Sequence, residues 1–117
     1  MAAGKYNISM DQGATFQLKL TIKGGDPAVP LDITSWTFAG KIRKSYNTPE
    51  LAAFSFDIQD QITNTGEVVI SMSSADTGAI PAEAPTSNYV YDIEATNGGS
   101  VTRILQGAVS FSAEITK

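Results

Sequence analysis

The sequence predicts an all-β protein, specifically an immunoglobulin-like antiparallel β-sandwich of seven to eight strands with at most one short helical turn near residues 73–79. Two observations support this fold class. Apolar and polar residues alternate with a period of two, which is typical of half-buried strands rather than helices. Turn-forming residues also recur roughly every 8–15 residues, and short strands at such a spacing indicate a sandwich.

The strand pattern is clearest in the first half of the chain. ATFQLKLTIK (14–23) places its apolar residues on one face, namely Phe16, Leu18, Leu20 and Ile22. GGDPAVP (24–30) combines Gly and Pro and is predicted to be an exposed loop. WTFAGKIR (36–43) follows as a strand, with Lys41 and Arg43 outward and its large hydrophobic residues inward, namely Trp36, Phe38 and Ile42.

The remaining elements are predicted from the same signals. Further strands are assigned to KYNISM (5–10), LAAFSFDI (51–58), EVVISMS (67–73), NYVYDIEAT (88–96) and VTRILQGAVSFSAEIT (101–116). SYNTPE (45–50) and PAEAPTS (81–87) are predicted to be irregular connections, because each holds proline, which cannot donate to a strand ladder. In SSADTGAI (73–80), Ser and Asp can cap one helical turn and Gly78 can end it.

The last two strands are predicted to form a hairpin. The sequence Asn97-Gly98-Gly99-Ser100 indicates a two-residue loop at Gly98-Gly99, so residues whose numbers sum to 197 should face each other. Ile93 then pairs with Ile104 on the buried side, and Glu94 pairs with Arg103 on the exposed side. Both pairs match chemically, which supports this register.

Beyond Leu105 the alternation of the final strand changes phase. Continued from Ile104, the pattern would turn Ala108 and two serines inward, whereas the hydrophobic residues are Val109, Phe111 and Ile115. One extra residue must therefore be absorbed. A glycine-assisted β-bulge at Gln106-Gly107 is predicted to do this.

Composition excludes the commonest catalytic sites. The 117 residues are expected to form one domain, 1–117, large enough to fold without a metal or a disulfide. The chain contains no Cys and no His, which excludes Cys nucleophiles, His bases, disulfides and His/Cys zinc sites. Asp57 and Asp60 resemble a glycosidase carboxylate pair, but nothing around them indicates a sugar cleft. We therefore expect no enzymatic activity, no cofactor and no small-molecule substrate.

Charge and hydropathy also limit the partners. The formal net charge is −4, and the basic residues are scattered along the chain apart from Lys41, Arg43 and Lys44, so no nucleic-acid partner is expected. No apolar run approaches the ~20 residues that span a bilayer, so no membrane partner is expected either. Residues 1–10 lack the apolar core of a signal peptide. We expect synthesis in a cytoplasm and a flexible arm at residues 1–7.

Two acidic and two basic residues are predicted to lie on neighbouring outer strand faces. Lys41 and Arg43 are on one strand, and Asp92 and Glu94 are on another that is its neighbour in an immunoglobulin-like sandwich. These charges can form a solvated cross-strand ladder, in which each exposed pair contributes less than about 1 kcal/mol. The alternative is a charged surface that contacts a partner subunit, and both interpretations remain open.

Two further groups of polar residues have structural explanations. Asp32 and Thr34 precede a strand, and such residues usually bond their own backbone in a turn; two oxygen-bearing side chains are also few for a cation site. Tyr89 and Tyr91 begin a strand after an irregular connection, as a tyrosine corner does in sandwiches. We interpret these tyrosines and Trp36 as core and corner residues rather than as a ligand-stacking surface.

The order of the motifs along the chain resembles a known family. The motifs are DQGATFQLKLTI (11–22), LDITSWTFAGKIRK (31–44), SSADT (73–77), YDIEAT (91–96) and RILQGAVSFSAEITK (103–117). Together they resemble the small β-sandwich proteins and modules found among the virion structural proteins of tailed bacteriophages and prophages. Members of that family are often tail or baseplate components or fibre-associated modules.

The resemblance implies a non-catalytic virion structural protein. We expect a tail or baseplate component, made in the host cytoplasm, that contacts other virion structural proteins and forms homo-oligomers in the particle. A capsid decoration protein and a host-surface carbohydrate-binding module are the alternatives. Loops carry variable function on sandwiches, so the candidate contacts lie in the three predicted loops and at the end of the Arg43 strand. They are Asp26, Pro27, Lys41, Arg43, Lys44, Tyr46, Pro49, Pro81 and Pro85.

Overall fold

The computed structural model describes residues 4–24, 28–45, 47–82 and 86–115. Within these ranges the strands are β1 (Gly4–Lys5), β2 (Ile8–Asp11), β3 (Phe16–Thr21), β4 (Lys23–Gly24), β5 (Val29–Pro30), β6 (Thr37–Arg43), β7 (Glu50–Ala53), β8 (Ser55–Ile58), β9 (Glu67–Met72), β10 (Thr86–Asn97) and β11 (Ser100–Ser112). One helix, α1 (Ser74–Ala79), completes these elements. β1, β4 and β5 have two residues each, and the other eight strands have four or more, in agreement with the predicted number.

The strands form an immunoglobulin-like sandwich. The large sheet has the order β1-β11-β10-β6-β7, with β2 also paired with β11, and the small sheet has the order β3-β9-β8. In the immunoglobulin scheme, the small sheet supplies strands B, E and D, and the large sheet supplies G, F and C with β7 as the additional C′ strand. The predicted fold class is therefore confirmed.

The core lies between the two sheets and explains the alternating sequence pattern. Fully buried side chains come from the large sheet, namely Ile42, Ile93, Val109 and Phe111, and from the small sheet, namely Val68, Ile70 and Met72. On β6 the predicted faces are confirmed, because Ile42 is buried while Lys41 is exposed. This division leaves the outer face of the large sheet to polar side chains.

The segment LAAFSFDI was predicted as one strand, but it contributes to both sheets. β7 pairs with β6 in the large sheet, whereas β8 pairs with β9 in the small sheet. The change of sheet occurs at Phe54, which is buried and whose N–H donates to the carbonyl oxygen of Gly40 at 2.9 Å. Side-chain alternation continues across this point, so the sequence pattern does not reveal that the hydrogen-bonding partner changes.

Helix α1 begins as predicted and ends differently. The Oγ atom of Ser73 accepts from the N–H of Asp76 at 3.2 Å and caps the first turn. Gly78 was predicted to end the helix, but it lies inside α1, and the extended residue after the helix is Ile80. Ile80 precedes Pro81, and the proline ring disfavours the α conformation of the residue before it. Proline rather than glycine therefore ends the helix.

The β10–β11 hairpin has the predicted loop and a displaced bulge. Asn97 faces Ser100 across Gly98-Gly99, and Glu94 faces Arg103, as predicted. Ile93, however, faces Leu105 instead of Ile104, because the register shifts between Ile93 and Glu94. The extra residue is absorbed at Ile104, two positions before the predicted bulge.

Gly107 has a different role from the one predicted. A Cβ atom on this residue would lie 2.8 Å from the carbonyl carbon of Tyr6, so the glycine allows the N-terminal segment to cross close to β11. The N–H of Tyr6 donates to the carbonyl oxygen of Gln106 at 2.9 Å, and β1 pairs with β11 in parallel. Residues 4–7 of the expected flexible arm thus lie against the large sheet.

Two further predictions need correction. The ends of the predicted loop at 24–30 belong to the paired strands β4 and β5, in which Lys23 faces Pro30 and Gly24 faces Val29. The final strand was expected to extend to residue 116 with Ile115 inward. β11 instead ends at Ser112, and Ile115 is 97% exposed, because among the described residues the strand pairings of β11 end at Ser112.

A polar junction joins the chain after β2 to helix α1. The fully buried hydroxyl of Thr77 accepts from the N–H of Gly13 at 3.1 Å and donates to the carbonyl oxygen of Ala14 at 2.8 Å. The Gln12 amide donates to the carbonyl oxygen of Ile80 at 2.9 Å, and its oxygen accepts from the N–H of Glu114 at 2.9 Å. The junction therefore connects three separate parts of the chain, residues 12–14, 77–80 and 114.

Candidate contact surface

Four cationic side chains converge on the outer face of the large sheet. They are Lys5 on β1, Lys41 and Arg43 on β6, and Arg103 on β11. The chain has eight Lys and Arg residues in total, so half of them line this one surface. The basic residues are scattered in sequence, but strand pairing brings these four together.

We call this surface the basic groove and define it by Lys5, Lys41, Arg43, Asp92 and Arg103. Its volume is about 510 Å³. The apolar side chains that also line it are Val90 and Ala108. The groove therefore combines positive charge with an apolar lining, whereas the whole chain has a formal net charge of −4.

The strand register builds the groove in rows. Lys5 faces Gln106, Gln106 faces Asp92, and Asp92 faces Lys41, so one row crosses four neighbouring strands. In the next row Arg43 faces Val90, which faces Ala108. Residues that face each other across paired strands point to the same side of a sheet, which places these side chains on the outer face.

The ion pairs of the groove differ from the predicted ladder. β6 and β10 are neighbours as predicted, and Lys41 faces Asp92. The ammonium group of Lys41, however, pairs with Glu50 of β7 at 3.2 Å, and Asp92 pairs with the guanidinium group of Arg103 at 3.3 Å. The predicted pairs between β6 and β10 are thus replaced by pairs with the next strand on either side.

Arg43 also has a partner outside the predicted ladder. Its Nη1 atom donates to the carbonyl oxygen of Thr48 at 2.6 Å. This bond anchors the connection between β6 and β7 beside the groove. The side-chain charge of Arg43 meets only the partial negative charge of a carbonyl oxygen in this bond, so it can still attract an anion.

The ion pairs of the groove are exposed and exchangeable. The side chain of Lys41 is 45% exposed and that of Arg103 is 53% exposed. Exposed pairs of this kind contribute about 0–1 kcal/mol each, because water screens them and the side chains lose entropy. Carboxylates of a partner can therefore replace Glu50 and Asp92 at little cost.

The other candidate contact residues do not join the groove as a group. Lys44 follows β6 directly and is exposed, and Pro49 is exposed beside β7. Pro81 is exposed elsewhere, after α1. The remaining candidates lie outside the described residues, namely Asp26, Pro27, Tyr46 and Pro85.

Sequence reasoning missed two members of the groove as contact candidates. Lys5 was assigned to a flexible arm, and the sequence carries no signal for the parallel pairing of β1 with β11. Arg103 was considered only as the partner of Glu94. The predicted hairpin register already placed Arg103 on the outer face, so that register was the available signal.

The predicted turn at Asp32 is confirmed. The Asp32 carboxylate accepts from the N–H of Thr34 at 3.0 Å and also from its hydroxyl group. Both bonds lower the pKa of Asp32 below its ordinary value, and the bond from the hydroxyl group has the larger effect. The stretch thus forms a local turn, as expected from its sequence.

The predicted tyrosine corner is confirmed at Tyr89, whose hydroxyl donates to the carbonyl oxygen of Pro81. Tyr91 lies two residues further along β10, and its hydroxyl group donates to the carbonyl oxygen of Tyr6 at 2.5 Å. Burial raises the pKa of Tyr91 to about 12, and the neighbouring Tyr6 adds to the shift. Tyr91 thus fixes the segment that carries Lys5 to the groove.

The described ranges bring together no group of three or more His, Cys, Asp or Glu side chains that could hold a metal ion. Among the same residues, no helix has the length and apolar character needed to cross a membrane.

Comparisons with known proteins are limited to the fold. No family model matches the chain, and no curated protein matches it. Among solved structures, the second Ig domain of the mouse polymeric immunoglobulin receptor is similar at 10% sequence identity and a TM-score of 0.41; the match covers 97% of this chain and 100% of that one. The immunoglobulin-like fold is defined by the strand order of the two sheets.

Proposed function

We propose that this chain is a non-catalytic structural protein of a tailed-bacteriophage virion, a tail or baseplate component that joins subunits or attaches fibres. The order of the five sequence motifs supports the assignment to a virion. The basic groove supports a contact function, because an acidic chain concentrates half of its cations on one sheet face. In this proposal the chain is made in the host cytoplasm and acts in the assembled particle with other virion proteins and with copies of itself.

The groove favours an anionic protein surface as the partner. Its cations are spaced over three strands, and the apolar side chains of Val90 and Ala108 lie in the row that contains Arg43, which suits a surface that carries both carboxylates and an apolar residue. Charge complementarity of this kind steers association and sets its specificity. A carbohydrate-binding surface would instead need exposed aromatic side chains, whereas Tyr91 in the groove wall is buried with its hydroxyl group bonded.

A particle map and one charge reversal test the proposal. The chain should be located in the tail or baseplate region of the particle whose genome encodes it. Location on the capsid exterior would instead support a decoration protein, and absence from the particle would contradict the proposal. Arg43→Glu should abolish incorporation with little change in melting temperature if the groove is the contact surface.

Lys23→Glu provides a matched control. It makes the same change in net charge at an exposed position of β4, outside the groove. Incorporation should therefore be retained. If Arg43→Glu lowers the melting temperature but leaves incorporation unchanged, the groove charges form only a stabilising ladder.

A further inference from the structure

We propose that the basic groove binds a second copy of this chain, which inserts the end of β8 and the turn that follows it. We call this segment the acidic turn and define it by Asp57, Asp60 and Ile62. The inference rests on the proposed function, because it names the partner of the same groove. The proposed contact is head to tail, because the groove of one copy holds the acidic turn of the next.

The acidic turn presents an exposed apolar side chain that follows two aspartates in the chain. Ile62 is 92% exposed, although it is a large hydrophobic residue, and Asp57 and Asp60 are exposed near it in the chain. An isolated exposed hydrophobic residue is unremarkable, but this one has charged neighbours that match the groove. An apolar residue close in the chain to carboxylates suits a groove in which cations and the apolar side chains of Val90 and Ala108 occupy neighbouring rows.

The turn is held in a defined conformation before any partner binds. The N–H of Ile62 donates to the Asp60 carboxylate at 2.9 Å. The side-chain oxygen of Gln61 accepts from the N–H of Ile33 at 3.1 Å and from the N–H of Gly66 at 2.7 Å. Ile62 therefore lies on a loop that hydrogen bonds hold in one conformation, which reduces the entropy lost on binding.

The turn and the groove have complementary charge. Four cations and one carboxylate, Asp92, line the groove, and the Glu50 carboxylate pairs with Lys41 beside it, so positive charge remains in excess among the described residues. Near the acidic turn, Glu67 is already paired with Lys19 at 3.4 Å, whereas the Asp57 carboxylate accepts from the neutral amide of Gln59 at 3.1 Å. The aspartates of the turn thus keep negative charge available for Lys41 and Arg103 of another copy.

One molecule cannot place its own turn in its own groove. The bond between Gln61 and Ile33 holds the turn near the start of β6, whereas Arg43 is at the end of β6. Thr37 and Arg43 are six positions apart along the strand, which corresponds to roughly 20 Å. The two surfaces therefore lie apart on one copy and can meet only between copies.

Contact between two different surfaces of the same chain is heterologous. Such contacts produce a closed ring if the rotation between copies closes, and an open filament otherwise. Both outcomes place many copies in one assembly. The contact should weaken with added salt, since exposed charges are screened over about 10 Å at 0.1 M ionic strength.

Two neutral variants test the head-to-tail contact. The groove variant is Lys41→Gln/Arg103→Gln, which keeps side chains able to bond Glu50 and Asp92. The turn variant is Asp60→Asn/Ile62→Ser, which keeps a side-chain oxygen at position 60 to accept the local N–H bond. Sedimentation velocity of the full chain at low salt should show association of the wild type and at least roughly tenfold weaker association of each variant.

Mixing the two variants gives the decisive result. The groove variant keeps a native turn and the turn variant keeps a native groove, so a mixture should form one-to-one dimers that do not grow further. A mixture that stays monomeric, with both variants folded by circular dichroism, would overturn the inference. Association of the turn variant alone at wild-type strength would also overturn it, because another surface would then be responsible.

The test separates this inference from the proposed function. If the wild type stays monomeric at low salt at the highest attainable concentration, the groove does not bind a second copy and the inference fails. The proposed function still stands in that case if Arg43→Glu abolishes incorporation into the particle. Binding of a short single-stranded oligonucleotide to the groove of a monomeric wild type would contradict both.

Discussion

The polar junction around Thr77 and the basic groove differ in burial and in how their polar groups are satisfied. At the junction, the fully buried Thr77 hydroxyl bonds both Gly13 and Ala14. In the groove, Lys41 and Arg103 are about half exposed and take part in ion pairs with single carboxylates. The junction thus holds fixed hydrogen bonds, whereas the groove holds charges that can change partner.

This difference separates residues that specify the fold from residues that are available to a partner. A buried donor or acceptor that loses its partner costs the full desolvation of that group, about 1–3 kcal/mol. An exposed ion pair that is lost costs about 0–1 kcal/mol. Substitutions should therefore act on stability at the junction and on association at the groove.

The largest effect on stability is expected for Thr77→Val. Valine has nearly the same shape but no hydroxyl group, so the N–H of Gly13 and the carbonyl oxygen of Ala14 lose their partner. The free energy of unfolding should fall by about 3 kcal/mol. Urea unfolding followed by circular dichroism measures this change.

Thr21→Val is the matched control, because Thr21 is exposed on β3. Its effect should be within about 0.5 kcal/mol of zero. Thr77→Ser should recover most of the stability, since it restores the hydroxyl group. Equal effects of the valine substitutions at positions 77 and 21 would contradict a structural role of the junction.

A smaller loss is expected for Gly107→Ala. The new Cβ atom would lie 2.8 Å from the carbonyl carbon of Tyr6, so the backbone of the N-terminal segment must move away from β11. Overpacking of this kind typically costs about 1–3 kcal/mol, and we expect about 2 kcal/mol by urea unfolding. The displacement should also move Lys5 out of the groove.

Gly99→Ala is the control for this variant, because a Cβ atom at Gly99 meets no atom within 4 Å. Hydrogen exchange should show faster exchange of the Tyr6 amide in Gly107→Ala but not in Gly99→Ala. Unchanged protection of that amide in Gly107→Ala would show that the segment tolerates the extra atom in place.

The sequence predicted the sandwich because its signals are local. Alternation identified the inward faces of β3 and β6, and the glycine pair identified the β10–β11 loop. The position of the bulge was predicted wrongly, because Gly107 is needed for the close approach of the Tyr6 backbone, which is about 100 residues away in sequence. The division of residues 51–58 between two sheets was also missed, since it changes hydrogen-bond partners and leaves the alternation intact.

The candidate surface was predicted only in part, for the same reason. Lys41 and Arg43 share one strand face, which periodicity reveals. Lys5 and Arg103 reach the same surface through pairing between strands distant in sequence. The ion pairs were predicted between the wrong strands. The register determines which residues face each other across a sheet, but a long flexible side chain can reach several neighbouring carboxylates.

Tyr91 should make stability depend on pH in the alkaline range. Its pKa is raised from 10.0 to about 12, so the folded protein holds this proton more strongly than the unfolded chain does. The stabilisation is fully present below pH 10 and is lost as the pH rises towards 12. Urea unfolding from pH 8 to 11 should show a decline in stability that is shallower in Tyr91→Phe.

Tyr89→Phe serves as the comparison for this titration. It removes a bonded tyrosine hydroxyl group from the same strand. The bond between the Tyr91 hydroxyl group and the N-terminal segment stays in place in this variant. If the pH dependence of Tyr91→Phe equals that of the wild type, Tyr91 is not the group responsible for the alkaline loss.

The smallest effect on stability is expected for Lys41→Gln/Arg103→Gln in the groove. Each substitution removes one exposed ion pair, and glutamine can still donate to Glu50 or Asp92, so the free energy of unfolding should change by less than about 1 kcal/mol. Urea unfolding of the monomer at high salt measures this change without a contribution from association. A loss as large as that of Thr77→Val would make the groove a structural ladder and remove the distinction between the two regions. A small loss combined with weaker self-association would locate the energetic role of these cations in the contact between copies.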